Sequence, residues 1–241
     1  MYCKIIISGS IIEVTEYEKL HVNGFQGDRE GDGLNKEENY NSTKRQRRCK
    51  VRQLICENFD EGSKFVTLTF RDTEEFDIKN VKECNKKFKQ FVQRMKYRYP
   101  EFLYVAVIEF QDSNNRGAVH YHMVCNIPYI KAKELSDIWE NGNIKINRIK
   151  QCDNVGAYVT KYMVVDMDDE RLQGLQAYNR SRGLLEPVEL ASWRKEEYDQ
   201  VQIILQSLEG KTPSYGGQPY ESENAGTILY RQYNKKREKL Q

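Results

Sequence analysis

The chain has 241 residues, of which 39% are hydrophobic and 31% are charged, a composition typical of a soluble globular protein with a heavily charged surface. No apolar run approaches the ~20 residues that a membrane-spanning helix needs. The first residues, Met1-Tyr2-Cys3-Lys4, also lack the pattern of a secretory signal. These features exclude a membrane-spanning role, and we expect a cytoplasmic protein. The six cysteines form no CxxC pair, so reduced thiols are favoured over a disulfide framework or a zinc knuckle.

The N-terminal part of the sequence predicts two short strands within residues 3–16, a polar loop over 24–42 and a basic helix over 43–58. The helix has few apolar positions, so we expect it to lie on the surface or on DNA. Its cations are Lys44, Arg45, Arg47, Arg48, Lys50 and Arg52. The net charge of +2 is too small to indicate nucleic acid by itself, but this cluster can neutralise phosphates. A solvated helix face is the alternative explanation.

The middle of the sequence alternates strands and helices. Residues 65–70, Phe-Val-Thr-Leu-Thr-Phe, predict a buried strand. A helix follows from about Asn80 to Tyr97, with Asn80 and Glu83 resembling a capping box. Its apolar stripe is Val81, Cys84, Phe88, Phe91, Val92 and Met95. That stripe is best explained as core packing, and the basic face of the same helix is a second candidate for DNA backbone contacts.

Two further strands, 102–110 and 118–125, flank a polar turn and predict a hairpin. The remaining predicted elements are a helix over 131–139, a strand over 143–149, a helix from Asp153 or Asn154 to about 165, strands near 175–185 and 226–232, and a helix near 192–207. This order favours an α+β fold in which helices pack on an antiparallel sheet. We expect an N-terminal segment 1–60, a core 61–165 and a C-terminal extension 166–241.

His120 and His122 are the first candidate site residues. They are two of only three histidines in the chain. Side chains alternate along a strand, so both point to the same face, roughly 7 Å apart at about 3.3 Å rise per residue. Two imidazoles placed in this way can bind one metal ion. A pair of half-buried surface histidines is the alternative.

Glu109 is the third candidate ligand. It ends a strand face that is otherwise apolar, where a carboxylate needs a partner. If residues 111–117 close a simple hairpin, Glu109 lies opposite or near His120. Two imidazoles and a carboxylate suit Mn²⁺ or Mg²⁺, with zinc as a further option. A solvated glutamate at the hairpin end is the competing explanation.

Tyr158, Lys161 and Tyr162 are spaced i, i+3 and i+4 on a predicted helix, so they share one face. A phenol is a weak nucleophile at its ordinary pKa, and a nearby lysine can stabilise the phenolate or neutralise a phosphate under attack. Two tyrosines packed against the sheet would explain the same pattern.

In combination, these motifs resemble those of the HUH endonucleases, and in particular the replication initiators of rolling-circle plasmids and single-stranded DNA phages. The strand 65–70 looks like the first motif of that family, His120-Tyr-His122 like its histidine motif and Tyr158-Val-Thr-Lys161 like its tyrosine motif. The resemblance covers residues 60–165, with weaker similarity at 181–184. It implies a central five-stranded antiparallel sheet with the histidines on a central strand. It also implies a divalent metal held by His120, His122 and a third ligand, for which Glu109 is the candidate.

The resemblance implies that Tyr158 attacks single-stranded or hairpin origin DNA, remains joined to its 5′ end and releases a 3′-hydroxyl primer. Some family members use two tyrosines four residues apart, which would give Tyr162 a role. No P-loop pattern is present, so a host helicase and a DNA polymerase are implied partners. The oligomeric state stays open.

Three alternatives remain at this point. A transposase or a relaxase would use the same active site. A non-catalytic module would bind single-stranded nucleic acid on a sheet of this type. A structural metal protein would use the two histidines only for folding.

Overall fold

The computed structural model describes residues 1–20, 36–112, 117–149, 154–163, 169–176, 178–222 and 225–237, and it describes their side chains except at 36–44, 161 and 162. The chain divides into two compact units. The terminal unit is Met1–Glu37 with Glu186–Gln241, and the core unit is Glu38–Leu185. Each unit contains an antiparallel sheet, of six and five strands respectively. The predicted α+β class, with a five-stranded antiparallel sheet and flanking helices, is confirmed.

The strands are β1 (Tyr2–Ser8), β2 (Ile11–Tyr17), β3 (Lys64–Thr69), β4 (Tyr104–Gln111), β5 (Ala118–Cys125), β6 (Ile144–Arg148), β7 (Tyr178–Arg180), β8 (Val188–Ala191), β9 (Tyr215–Gly216), β10 (Tyr220–Ser222) and β11 (Gly226–Asn234). The α-helices are α1 (Lys36–Asn58), α2 (Val81–Arg98), α3 (Ala132–Trp139), α4 (Val155–Met163) and α5 (Tyr198–Leu208). A short 3₁₀ helix covers Glu170–Leu172.

The sheet of the core unit has the strand order β6-β3-β5-β4-β7, so β5 is the central strand. All its neighbouring strands pair antiparallel. Because β5 alternates, Val119, Tyr121 and Met123 lie in one buried cluster, whereas Val124 lies in the cluster on the opposite face. Each face of this sheet is therefore covered by a separate apolar core.

Helices α2 and α3 cover the first face of this sheet. Every residue of the predicted stripe on α2 is buried except Val92, which is partly buried against the same core. Phe88 stacks on Tyr121 with ring centroids 4.1 Å apart. Asn80 caps α2 as predicted, because its side chain accepts hydrogen bonds from the backbone N–H groups of Lys82 and Glu83.

Helices α1 and α4 pack on the other face. The expectation that α1 begins near residue 43 is wrong, because the helix begins at Lys36. Nor does α1 lie wholly on the surface, because Val51, Leu54 and Ile55 on it are fully buried. Their i, i+3, i+4 spacing makes one narrow apolar stripe that the sheet covers, while the other side remains polar. DNA contact by the basic residues of α1 stays a prediction. Residues 24–35 of the predicted loop lie outside the described residues.

The terminal unit joins the two ends of the chain in one sheet. Strand β2 pairs with β1 on one side and with β11 on the other, and β8 extends the sheet beyond β1. Helix α5 contributes Val201 and Leu208 to a core with Ile5 and Val14. The expected domain boundaries stay a prediction, namely a division into 1–60, 61–165 and 166–241. The two compact units group the chain differently, because β1 and β2 pair with strands from the other end of the chain.

Two smaller observations complete the fold. The cysteines of the described residues, Cys3, Cys49, Cys56, Cys84 and Cys125, are free thiols. In the described part of the chain, no helix is long and apolar enough to cross a membrane.

Candidate active site

Glu109 and His122 come together on the face of the sheet that α1 and α4 cover, and His120 lies on the same face. Glu109 of β4 is paired directly with His120 of β5, as predicted for a simple hairpin. The side-chain hydrogen bond, however, joins Glu109 Oε2 to Nε2 of His122. The pKa of the Glu109 carboxyl lies below its ordinary value, chiefly because of this bond, although partial burial acts in the opposite direction. The two histidines add a smaller electrostatic effect that also lowers it.

His122 is held on its other side by residues that the sequence patterns did not single out. Thr67 lies opposite His122 in the β3–β5 ladder, and its Oγ1 is 3.2 Å from His122 Nδ1. The ring of Phe65 stacks on the imidazole with centroids 5.7 Å apart and an interplanar angle of 11°. Both residues belong to the strand motif 65–70, and their alternation would have placed them on one face without indicating which histidine they meet.

The Glu109 carboxylate assigns the role of one ring nitrogen of His122. An ionised carboxylate can only accept a hydrogen bond, so Nε2–H donates to Glu109. The Thr67 hydroxyl can donate to Nδ1 when that nitrogen carries no proton. A hydroxyl can also accept, and Thr67 can therefore serve the ring equally well when Nδ1 carries the proton. If a metal were bound at Nε2 of His122, the proton would lie on Nδ1, and the Thr67 hydroxyl could then accept it in a hydrogen bond.

The donor set agrees with a divalent metal site in type and in placement on the backbone. Two imidazoles and one carboxylate on neighbouring strands supply nitrogen and oxygen ligands. Within the described residues, no three His, Cys, Asp or Glu side chains are grouped closely enough to form a ready site. His122 and Glu109 instead bond directly to each other. A metal held here would replace that hydrogen bond.

Tyr158 reaches the same site from α4. Asn154 caps this helix by accepting a hydrogen bond from the Ala157 backbone N–H at 2.9 Å, which agrees with one of the two predicted caps; the other, Asp153, lies outside the described residues. Val155, Val159 and Met163 are buried on the sheet side, and their i, i+4, i+8 spacing fixes the helix orientation. Tyr158 remains 49% exposed.

Gly156 explains how closely α4 approaches α1. A Cβ at this position would lie 2.5 Å from Cys56 Sγ and closer still to the Arg52 carbonyl oxygen, so only glycine fits here. Cys56 Sγ also donates a hydrogen bond to Asn154 Oδ1 at 3.3 Å. Helix α1 thus sets the position of the helix that carries Tyr158.

A cavity of about 410 Å³ connects these groups. Its lining residues come from strands of the sheet, from the residue after β6 and from α4. They are Phe65, Thr67, Glu109, His122, Lys145, Asn147, Arg148, Ile149, Tyr158 and Val159. Glu109, His122 and Tyr158 are therefore brought together. His120 is paired with Glu109 but is not part of this lining.

The remaining predicted site residues lie on α1 and α4. Lys161 and Tyr162 lie on α4, but their side chains are outside the described residues, as is that of Lys44. Arg45 and Arg47 are exposed on α1, whereas Arg48, Lys50 and Arg52 are partly buried. None of these five described arginine and lysine side chains of α1 lines the cavity.

The charge of the chain is divided unevenly between the two units. The core unit carries 26 of the 38 basic residues and 20 of the 36 acidic ones, and the terminal unit carries the other 12 and 16. The core unit is therefore basic, and the terminal unit is acidic. A polyanion would be attracted to the unit that contains the cavity.

Comparison with known proteins agrees with this geometry. Residues 63–167 match the family model of replication-associated proteins of the ORF2 type. The matched segment begins beside β3 and ends just after α4, so it contains every described residue that lines the cavity. The similarity suggests a role in the initiation of replication. No curated protein and no solved structure matches the chain.

Proposed function

We propose that this chain initiates replication by nicking and rejoining single-stranded origin DNA, with Tyr158 as the nucleophile. The observation that carries the proposal is the meeting of Tyr158 and the His122–Glu109 pair in one cavity. These groups come from α4, β5 and β4, so their approach is a property of the fold and not of one local motif. The similarity of residues 63–167 to replication-associated proteins supports the same conclusion.

The proposed reaction is a transesterification. The phenolic oxygen of Tyr158 bonds to the scissile phosphorus as the bond from phosphorus to the 3′ oxygen breaks. The phenol loses a proton and the departing oxygen gains one, which leaves a 3′-hydroxyl and a 5′-phosphotyrosine. Because one phosphodiester replaces another, the reverse reaction can rejoin the strand without ATP.

His120, His122 and Glu109 are the residues that would hold Mn²⁺ or Mg²⁺. Such an ion would supply positive charge beside the phosphate, where negative charge increases during the reaction. Glu109 contributes a carboxylate that is ionised at neutral pH, since its pKa lies below the ordinary value. His122 contributes a ring whose rotation is limited by Thr67 and Phe65.

The proposed roles of Lys161 and Tyr162 rest on their sequence spacing from Tyr158. Lys161, at i+3 from Tyr158, would stabilise the phenolate or the phosphate. Tyr162, at i+4, would act as a second nucleophile in a rejoining step.

The proposed substrate is single-stranded DNA or a strand opened in a hairpin. A duplex would not easily bring its phosphate to a tyrosine in a cavity, whereas a single strand can bend into it. The basic residues of α1 are candidate backbone contacts outside the cavity. A host helicase would open the duplex, and a DNA polymerase would extend the released 3′-hydroxyl.

The test is covalent capture of DNA. Full-length protein is incubated with Mn²⁺ and a labelled library of single-stranded oligonucleotides, and the products are separated on a denaturing protein gel. Wild type is compared with Tyr158→Phe, Tyr162→Phe and the double variant. Tyr97→Phe is the matched control, because Tyr97 is a 93% exposed tyrosine of the core unit that lies on α2.

We expect a metal-dependent covalent band that the Tyr158→Phe change abolishes and the Tyr97→Phe change leaves intact. A band that is lost only in the double variant would mean that both tyrosines of α4 react. Absence of any band, combined with tight DNA binding that ignores metal, would overturn the proposal in favour of a non-catalytic binding module. A transposase or a relaxase would form the same band but would differ in its requirement for transposon-end or transfer-origin sequences.

A further inference from the structure

Strand β6 forms a wall of the cavity that the proposed chemistry leaves without a role. It is an edge strand of the five-stranded sheet, next to β3. Lys145 is paired with Thr67, and Asn147 is paired with Phe65. Both β6 residues therefore lie on the same face as His122, and both are exposed and line the cavity.

The two β6 side chains carry groups that can bind a nucleotide. Lys145 offers an ammonium group for a phosphate, and Asn147 offers an amide that can both donate to and accept from a base edge. Among the described lining residues, Glu109 alone is acidic, and it already bonds to His122. An anion beside Lys145 would thus meet no free carboxylate from the described lining.

The distance from Lys145 to His122 suits binding of a phosphate next to the one that reacts. Lys145, Thr67 and His122 form one row across three neighbouring strands. At ~4.8 Å between strands, the backbones of Lys145 and His122 are about 10 Å apart. The flexible four-carbon side chain of lysine can reach back over part of that distance.

The cavity volume limits what can occupy the site. About 410 Å³ lies near the lower end of the ~300–1,000 Å³ range of small-ligand pockets. It is too small for a duplex and suited to a single nucleotide of an extended strand.

We infer that Lys145 and Asn147 form a subsite for the nucleotide adjacent to the scissile phosphate of single-stranded DNA. Lys145 binds the phosphate of that nucleotide, and Asn147 contacts its base edge. The position of this nucleotide next to the site of cleavage rests on the proposed function, whereas a strand bound without cleavage would occupy the same subsite.

The first experiment measures DNA binding without cleavage. Affinity of the full-length protein for fluorescein-labelled oligothymidylate is measured in EDTA over a range of salt concentrations, for wild type, Lys145→Gln and Lys133→Gln. Lys133 is the matched control, because it lies on α3, which packs on the opposite face, and its side chain is 86% exposed. We expect Lys145→Gln to reduce the slope of log affinity against log salt by about 0.7, the value for one phosphate contact on a single strand, and Lys133→Gln to leave the slope unchanged.

The second experiment measures base preference. Products cut from the oligonucleotide library are sequenced to find the base beside the nick. We expect Asn147→Ala to reduce the preference at one position by at least about fivefold, the lower end of the discrimination given by a good base contact. Lys145→Gln should leave the pattern of preferred bases unchanged while lowering the yield.

The outcomes separate the inference from the proposed function. Covalent capture by wild type, with an unchanged salt slope for Lys145→Gln, would overturn the subsite and leave the nickase intact. A reduced slope in a protein that never captures DNA would support the subsite and refute the nickase. Equal slope changes for Lys145→Gln and Lys133→Gln would overturn the subsite, because they would indicate general charge attraction.

Discussion

Replacing Thr67 by valine removes the hydroxyl that is 3.2 Å from His122 Nδ1 and keeps the size and branching of the side chain. The two residues face each other in the β3–β5 ladder, so the backbone positions do not depend on this bond. We expect the variant to fold normally and to bind Mn²⁺ more weakly, because His122 loses the partner that orients its ring.

The expected loss is about tenfold. Partners of metal-binding histidines typically change metal affinity 10- to 100-fold when they are removed. Two features of this site favour the lower limit of that change in metal affinity. The bond length of 3.2 Å is at the long end of the usual range, and Phe65 still stacks on the ring in the variant. A tenfold change corresponds to about 1.4 kcal/mol, close to the ~1 kcal/mol net value of a neutral hydrogen bond.

Two measurements check this prediction. Mn²⁺ affinity is obtained by calorimetry, and the His122 tautomer in metal-free protein is obtained from long-range ¹H–¹⁵N NMR spectra of the imidazole. Thr67→Ser should restore both. Thr73→Val is the control, since Thr73 is an exposed threonine of the core unit that lies outside the strands of the sheet.

Wild-type affinity and an unchanged imidazole spectrum in Thr67→Val would refute the positioning role of Thr67. An equal loss in Thr67→Val and Thr73→Val would also refute it, because the effect would then come from any threonine-to-valine change in the core unit.

Two further predictions concern stability. Gly156→Ala places a methyl group against Cys56 and the α1 backbone, and we expect it to lower the free energy of unfolding in urea by ~1–3 kcal/mol, as is typical of overpacking. Gly183→Ala is the control and should change stability little, because its added carbon meets only Leu103 at 3.5 Å. Equal losses of stability in the two variants would count against the close contact of α1 and α4. Arg171 bonds to the carboxylates of Asp112 and Asp169, and these hydrogen bonds hold the pKa of each carboxyl below its ordinary value. Arg171→Gln should therefore lower the urea midpoint near neutral pH. The difference in midpoint between variant and wild type should shrink as the pH falls through the lowered pKa values of the two aspartates, because the wild type then loses the same ion pairs. A difference in midpoint that is independent of pH would contradict this reasoning.

Much of the candidate site could be predicted from local pattern. Strand alternation placed His120 and His122 on one face, and a short hairpin turn placed Glu109 beside them, because both follow from geometry within a few residues. The partner of the Glu109 side chain could not be obtained in this way. Register pairs Glu109 with His120, yet the hydrogen bond goes to His122, a choice made by side-chain rotamers and by what surrounds each ring.

The packing of α1 differs from its sequence-based prediction for a related reason. Cations dominate its composition, and only three buried apolar residues near its end form a short stripe. Burial depends on whether the rest of the chain supplies a matching surface, and here the sheet and α4 supply it.

The sequence by itself determined the order and type of the central elements, the cap of α2 by Asn80 and the shared face of the two histidines. These features depend on contacts between residues close in the chain. Only the tertiary structure decided that β3 places Thr67 beside His122, that β6 brings Lys145 and Asn147 into the cavity, and that β2 pairs with β11 from the far end of the chain. Strand pairing joins residues distant in sequence, and an alternating pattern specifies which face a side chain occupies but not which strand lies next to it.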